Sequence, residues 1–294
     1  MASSRIDNFL HKSWSEQFTT AQFLLRKNLA RIPYAPVPVR MKVSDQEEIR
    51  FWWSYVVPYF DEHRGFFDYW GLDLAELRFL WKHLQPGMTF MDIGAHHGIF
   101  TLVAAKRLRG DGAVIAFEPS ARESRRLHLH LRMNGVSWVR DESLAVGAAT
   151  SRQDFFQVVD GDSSRGGLRP PASRDQVRVA SVESIRLDDY VSRHRLNRLD
   201  IVKLDVEGGE MNVLAGAEDV LEKIRPIFIC EVLDAATHAW NYEARDIVLK
   251  FQSYGFSWFE FRPDGSIVPH QVRDHYPDVR NYLAVPNERC PLAE

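Results

Sequence analysis

The sequence predicts an α/β fold with a parallel sheet covered by helices on both faces. From Met88 onward, short apolar segments alternate with longer segments whose apolar residues recur at helical spacing. The predicted strands are 88–93, 113–118, 138–141, 200–204 and 226–232. The predicted helices between them are 97–108, 121–133, 207–223 and 244–254. Alternating strands and helices of these lengths are typical of a parallel sheet that is buried on both sides.

This alternation lapses between about residues 143 and 184. Short strands are predicted there at 145–147, 154–159 and 176–182, and late strands at 257–261 and 281–285. The segment 161–171 is rich in glycine, serine and proline, which indicates a loop.

Residues 1–74 are predicted to form a mainly helical N-terminal extension or cap, and residues 75–294 the main domain. Apolar residues recur at helical intervals up to about residue 32, and a proline-rich linker follows. We expect a hairpin over 40–55 slightly more than a helix that begins at Gln46. The aromatic residues between Tyr55 and Tyr69 fit a core between cap and domain, or the wall of an acceptor pocket.

The amino-acid composition argues against several classes of protein. The chain has 294 residues, of which 45% are hydrophobic and 26% charged, with a formal net charge of −3. There is no basic excess to suggest nucleic acid as a partner. Two cysteines are too few for a disulfide framework, and no apolar stretch reaches the roughly 20 residues of a membrane span. We therefore expect a cytoplasmic protein with no membrane span.

The segment from Thr89 to Thr101 reads as strand, glycine turn and helix. Asp92 ends the strand, and Gly94 and Gly98 allow the tight turn that presents helix N-terminal amides to a ligand. Glu118 lies 26 residues after Asp92, at the end of the second strand. An acid there accepts hydrogen bonds from ribose hydroxyls, although it could also cap the next helix.

The turn itself argues against a nicotinamide dinucleotide. That fingerprint needs three glycines in the pattern G-x-G-x-x-G, whereas this chain has His96 at the second position and Ile99 at the third. Asp92 would repel a pyrophosphate but favours a ligand that carries positive charge. An adenosine ligand with a cationic group, S-adenosylmethionine, fits these residues better than NAD.

Several motifs together resemble one family. They are the turn at 90–98, Ala-Phe-Glu-Pro at 116–119, Ala-Val-Gly at 145–147, Leu-Asp-Asp-Tyr at 187–190 and Ile-Val-Lys-Leu-Asp-Val-Glu-Gly-Gly-Glu at 201–210. In order and spacing over roughly residues 75–262, they resemble the FkbM-type family of class I S-adenosylmethionine-dependent methyltransferases. Residues 1–74 carry no such resemblance.

The resemblance implies a Rossmann-like, seven-stranded and mostly parallel sheet, and it implies the cofactor contacts. The turn would hold the methionine part, Glu118-Pro119 the ribose, and the end of the third strand the adenine. The implied cofactor residues are Asp92, Gly94, Ala95, His96, Gly98, Glu118, Pro119, Glu142, Ser143 and Asp205. Family members mostly methylate hydroxyl oxygens of sugars, polyketides and other natural products. His96 replaces a frequent asparagine, and its role is either packing at the helix start or ligand contact.

The predicted chemistry is direct displacement by an acceptor oxygen. Asp205 follows the fourth strand and is the first candidate to orient the acceptor hydroxyl or take its proton. His238, beyond the fifth strand, is the second candidate, with an exposed loop histidine as the alternative. A divalent metal on carboxylate ligands stays open but is not favoured, and no metal ligand is assigned. The alternatives in function are a non-catalytic adenosine-cofactor-binding protein and an NAD-dependent oxidoreductase.

Overall fold

The computed structural model describes residues 38–42, 47–52, 74–159, 163–171 and 176–290. The predicted N-terminal helices and the aromatic segment 55–69 lie outside these residues, so the mainly helical extension and its boundary at residue 74 stay predictions. The hairpin is confirmed, because strand β1 (Pro38–Lys42) pairs antiparallel with strand β2 (Glu48–Trp52).

The strands of the main domain follow the predicted alternation. They are β3 (Thr89–Ile93), β4 (Ala113–Phe117), β5 (Arg140–Glu142), β6 (Ala145–Val146), β7 (Ser151–Val158), β8 (Val177–Ile185), β9 (Ile201–Leu204), β10 (Ile227–Glu231), β11 (Phe256–Phe261), β12 (Ile267–Pro269) and β13 (Asn281–Pro286). The helices are α1 (Leu74–His83), α2 (Ile99–Leu108), α3 (Ala121–Met133), α4 (Leu187–Arg193), α5 (Glu210–Ala215), α6 (Asp234–Thr237) and α7 (Ala244–Ser253).

The central sheet has the strand order β12-β11-β13-β10-β9-β3-β4-β5. Strands β5, β4, β3, β9 and β10 pair in parallel, and β13 is antiparallel to both β10 and β11. This is the class I methyltransferase fold, with a mostly parallel sheet. Eight strands are present in the described chain instead of the predicted seven, because the short edge strand β12 returns antiparallel on β11.

Helices cover both faces of this sheet, as the apolar strands predict. Side chains of β3 alternate between the faces. Phe90 packs in a core with α1, α2 and α3, whereas Met91 and Ile93 pack in a second core with α4, α5 and α7. The sheet therefore separates two cores, and the carboxyl ends of the parallel strands form one shared edge. No helix in the described ranges is long and apolar enough to cross a membrane.

The single helix predicted over 207–223 is wrong. Helix α5 covers only Glu210–Ala215, and a separate π-helical turn follows at Val220–Ile224. A Cβ on Gly216 would lie 2.1 Å from the carbonyl oxygen of Gly147. The helix ends at Gly216, where two backbone segments approach too closely for a side chain.

A smaller sheet in the order β6-β8-β7 interrupts the alternation. Its strands confirm the three short strands predicted before residue 184, although β7 and β8 are longer than predicted. After β7, the turn Ser163–Arg165 leads to a bridge between Gly167 and Phe156. This bridge ties the described part of the predicted loop, 163–171, to β7, and the contact of Ser163 with His96 brings it to the carboxyl edge of the central sheet.

Candidate active site

The glycine turn between β3 and α2 lies at the carboxyl edge of the sheet. Gly94, His96 and Gly98 have φ angles of 85°, 50° and 86°. A Cβ on Gly94 would lie 1.8 Å from the carbonyl oxygen of Asp205, and one on Gly98 would lie 2.1 Å from Cδ1 of Leu127. The positive φ favours glycine at both positions, and at Gly94 the backbone that follows β9 also leaves no room for a side chain.

Asp92 supports this turn from within the fold. It is 2% exposed, and its Oδ2 accepts a hydrogen bond from Thr101 Oγ1 at 2.5 Å. Burial raises the pKa of Asp92 to about 6, while the Thr101 hydrogen bond and the charge of Lys203 act in the opposite direction. Lys203 lies opposite Asp92 in the pairing of β3 with β9. Asp92 therefore ties the start of α2 to β3 and adds negative charge behind the turn.

Glu118 follows β4 and is held by two backbone groups. Its Oε2 accepts from the amide of His96 and its Oε1 from the amide of Ser120, each at 2.8 Å. Burial raises the pKa of Glu118 to about 8, against the lowering effect of these hydrogen bonds. Two fixed donors orient the carboxyl group, and each oxygen keeps a second lone pair for a ligand hydroxyl. Such a group is suited to bind the two hydroxyls of a ribose.

A cavity of about 680 Å³, including its open mouth, lies over this edge of the sheet. Five of the predicted site residues line it, namely Gly94, His96, Glu118, Pro119 and Asp205. Asp92, Ala95 and Gly98 are not among its lining residues and form the support of the turn. The structure therefore brings both strand-end acids, Glu118 and Asp205, to one cavity from separate βα units.

Glu142, Ser143 and His238 lie outside the described lining of this cavity. Glu142 accepts a hydrogen bond from the Tyr190 hydroxyl at 2.8 Å, and Ser143 is exposed. His238 is exposed on the short 3-10 turn His238–Trp240. The assignments of Glu142 and Ser143 to adenine and of His238 to the base stay predictions.

Other residues complete the cavity, and the sequence analysis did not assign them. They include the apolar residues Leu144, Ala145, Val146 and Phe155, the loop residues Ser163 and Ser164, and Trp240. The apolar run after β5 was a usable sequence signal for a wall of the cavity. Trp240 had none, since its place depends on how the turn after β10 packs. The Arg169 guanidinium lies 5.2 Å from the centroid of the Trp240 ring.

His96 both packs at the helix start and lines the cavity. Its Nε2 lies 2.9 Å from Ser163 Oγ and 3.4 Å from Glu123 Oε2. Burial, followed by the charges of Arg126 and Arg122, lowers the pKa of His96 to about 3. The imidazole is therefore neutral at physiological pH and holds the loop residue Ser163 beside the turn.

His96, His97 and Glu123 bring possible metal-ligand atoms within 4.8 Å of one another. The same Glu123 carboxylate binds Arg122 Nε at 2.6 Å and Arg126 Nη1 at 2.8 Å. A cation at this point would compete with two guanidinium groups for one carboxylate. The charges around this cluster therefore do not favour a metal.

Acidic side chains gather beneath the Asp205 end of the cavity. Lys203 is 2% exposed, and its Nζ donates to Asp205 Oδ2 at 2.7 Å and to Asn281 Oδ1 at 2.8 Å. Glu210 Oε1 accepts from the Val206 amide at 3.0 Å. Burial raises the pKa of Glu210 to about 7. The site thus combines one buried ammonium with several carboxyl groups.

Comparison with known proteins agrees with this geometry. A family model described as the Methyltransferase FkbM domain matches residues 92–258, which is more than half of the chain. The chain belongs to this family. The matched range contains the glycine turn, Glu118 and the acidic segment that ends in Glu210. The resemblance drawn from the motifs is therefore confirmed at the level of the family.

Three curated relatives are similar to parts of this FkbM-family chain. The 2-O-methyltransferase NoeI of Sinorhizobium fredii is 31% identical over 159 residues, 49% of this chain and 63% of NoeI. The AMB antimetabolite synthetase AmbE of Pseudomonas aeruginosa is 29% identical over 209 residues, 59% of this chain but 10% of AmbE. Methyltransferase 1 of Beauveria bassiana is 28% identical over 211 residues, 66% of this chain and 79% of that protein. The chain spans less than two thirds of the length of NoeI and of AmbE.

Proposed function

We propose that this FkbM-family protein uses S-adenosylmethionine to methylate a hydroxyl group of a small molecule such as a sugar, a polyketide or another natural product. The observation that carries the cofactor proposal is Glu118. Its carboxyl group is fixed by two backbone amides and lines the same cavity as Gly94 and Asp205. A family relative whose name specifies 2-O-methylation, NoeI, supports oxygen as the acceptor atom.

The residues present fit the cofactor. Glu118 would hold the ribose hydroxyls, and Gly94, which lines the cavity, would present its backbone to the ligand. Leu144 and Val146 offer apolar surface for an adenine ring. When bound, S-adenosylmethionine supplies a methyl group on a sulfonium that is already activated for displacement.

Because the methyl group is already activated, the main task of the protein would be to align the acceptor hydroxyl with it. Asp205 lines the cavity with a side chain that is 32% exposed, and the Lys203 ammonium holds its Oδ2. A carboxylate held in this way can accept a hydrogen bond from the acceptor hydroxyl and orient its oxygen. His238 is exposed on the surface of the 3-10 turn, so we assign this role to Asp205.

Titration calorimetry at pH 8.5 tests the cofactor. We expect S-adenosylmethionine and S-adenosylhomocysteine to bind and NAD not to bind. Glu118→Gln should weaken both adenosine ligands by about 10- to 100-fold, because an amide cannot accept from both ribose hydroxyls. The exposed Glu183, paired with Arg152, provides a matched Glu→Gln control that should leave both affinities unchanged. Binding of NAD alone would contradict the proposal.

Formation of S-adenosylhomocysteine with a panel of hydroxylated sugars and polyketides tests catalysis. With an acceptor found in this way, Asp205→Asn should lower kcat by about 10²- to 10⁴-fold, the usual contribution of a group that assists proton removal. His238→Gln should change kcat less than twofold. If no hydroxylated acceptor yields product while the cofactor binds, the non-catalytic alternative replaces this proposal.

A further inference from the structure

The proposed reaction leaves one buried carboxyl group unused, that of Glu231. It ends β10, and the pairing of Cys230 with Leu204 places the next residues of the two strands, Glu231 and Asp205, side by side at the carboxyl edge. Glu231 is 8% exposed. Its Oε2 is buried and has no hydrogen-bond partner within the described residues. A buried carboxyl oxygen without a partner is costly, so its persistence suggests that a bound state supplies what is missing.

Within the described residues, the charged groups with the largest effects on Glu231 are mostly acidic. These groups are Lys203 from β9, Asp205 and Glu207 from the following loop, and Glu210 from α5, and the Cys230 thiol of β10 is a titratable neighbour. The residue paired with it on β13 is the uncharged Asn281. Burial and then the charge of Asp205 raise the pKa of Glu231 well above its usual value. Among these groups, Asp205, Glu210 and Glu231 thus share one buried ammonium, and three carboxyl groups around it cannot all be ionised cheaply.

A cation bound above Asp205 would supply further positive charge. The cavity reaches the cluster through Asp205 and Glu207, which both line it. We propose that Glu231 carries a proton while the cavity is empty, releases it when a sulfonium cation binds, and lets the Asp205–Glu231 pair regain a proton when that positive charge is consumed. This inference rests on the proposed function and assigns Glu231 as a positioning residue that acts through Asp205.

The proton balance of the reaction fits this assignment. The acceptor oxygen forms a bond to the methyl carbon with its own electron pair, and the sulfur–carbon bond breaks with its electrons remaining on sulfur. The sulfonium thereby becomes a neutral thioether, and the acceptor loses its hydroxyl proton. If that proton passes to the Asp205–Glu231 pair, the positive charge lost from sulfur is replaced by a proton on the carboxyl pair. The total charge of the site is then the same before and after transfer.

The cofactor and its product provide a matched pair of probes. S-adenosylmethionine and S-adenosylhomocysteine share the ribose and the amino-acid group and differ in the sulfonium charge. Proton release caused by Glu118, which would bind the ribose, is therefore common to both ligands. Calorimetric titrations at pH 7.5 in phosphate and in Tris, whose ionisation enthalpies differ, give the number of protons released by each ligand.

We expect S-adenosylmethionine to release between about 0.5 and 1 proton more than S-adenosylhomocysteine. By linkage, one extra proton makes the affinity ratio of the two ligands rise about tenfold per pH unit near neutrality. Glu231→Gln, which can neither bind nor release a proton, should abolish both effects, while Glu183→Gln retains them.

Equal proton release by the two ligands in the wild-type protein would overturn the inference, and this comparison does not depend on the folding of any variant. A difference that persists in Glu231→Gln would also overturn it, because another acid would then be the source. Failure of both ligands to bind would instead refute the proposed function, so the two failures are distinguishable.

Discussion

Replacing Lys203 with methionine is expected to destabilise the protein by about 3–5 kcal/mol, the usual cost of removing one partner from a buried ion pair. The ammonium is almost fully buried, and it donates to Asp205 and Asn281 while its Nζ lies 5.1 Å from the centroid of the Phe100 ring. Methionine fills a similar volume, so packing is kept and charge is lost. The acids of the cluster would then repel one another without their buried cation.

Urea denaturation of the ligand-free protein measures this effect, and two comparisons isolate its cause. Lys223→Met removes an exposed lysine that pairs with Asp219 at 2.8 Å, and it should leave the midpoint unchanged. Asp205→Asn in the Lys203→Met background should recover part of the loss, because it removes one of the uncompensated charges. If Lys203→Met were as stable as the wild type, the buried charge balance assumed for this site would be incorrect.

The contacts of Lys203 also show which parts of the site can be predicted from the sequence. Lys203 and Asp205 alternate to one side of a single strand, and Asp92 and Glu118 each end a strand of the same parallel sheet. These relations follow from local spacing and from the rule that parallel strands share their carboxyl edge. The glycine turn, Glu118 and Asp205 could therefore be predicted to share one site from the sequence alone.

Other parts depend on contacts between distant segments, which spacing does not encode. Asn281 binds Lys203 because β13 returns antiparallel beside β10, 78 residues along the chain. Ser163 and Trp240 reach the cavity through the packing of a loop and a short 3-10 turn. Sequence alone therefore indicated the strand-end residues of the cavity more fully than the residues that the loop and the 3-10 turn contribute.

The break in the predicted 207–223 helix also lies at a contact between segments that are distant in the sequence. The apolar period continues through this segment, so a pattern-based prediction extends the helix. The helix ends where the backbone of Gly216 meets the Gly147 carbonyl from the smaller sheet. Edge strand β12 was missed because three residues are too few to establish an alternating pattern.

The second large effect is expected for Gly94→Ala, which should abolish measurable cofactor binding and destabilise the protein by at least about 4 kcal/mol, a loss that single substitutions rarely reach. Two costs combine in this variant. The φ of 85° disfavours any residue with a Cβ by about 1–2 kcal/mol. The added methyl would lie 1.8 Å from the Asp205 carbonyl oxygen, so β3 and β9 would have to separate at the site itself.

Gly87→Ala separates these two costs. Gly87 has a φ of 80°, nearly the same as Gly94, but a Cβ there would meet nothing within 4 Å. It should therefore show only the backbone cost of about 1–2 kcal/mol and bind S-adenosylmethionine with unchanged affinity. Chemical denaturation measures the free energy of unfolding of both variants, and titration calorimetry measures their affinity for S-adenosylmethionine. Similar losses in the two variants would mean that backbone conformation alone explains Gly94, whereas a loss of binding confined to Gly94→Ala would show that the close approach of the turn to Asp205 forms the cofactor site.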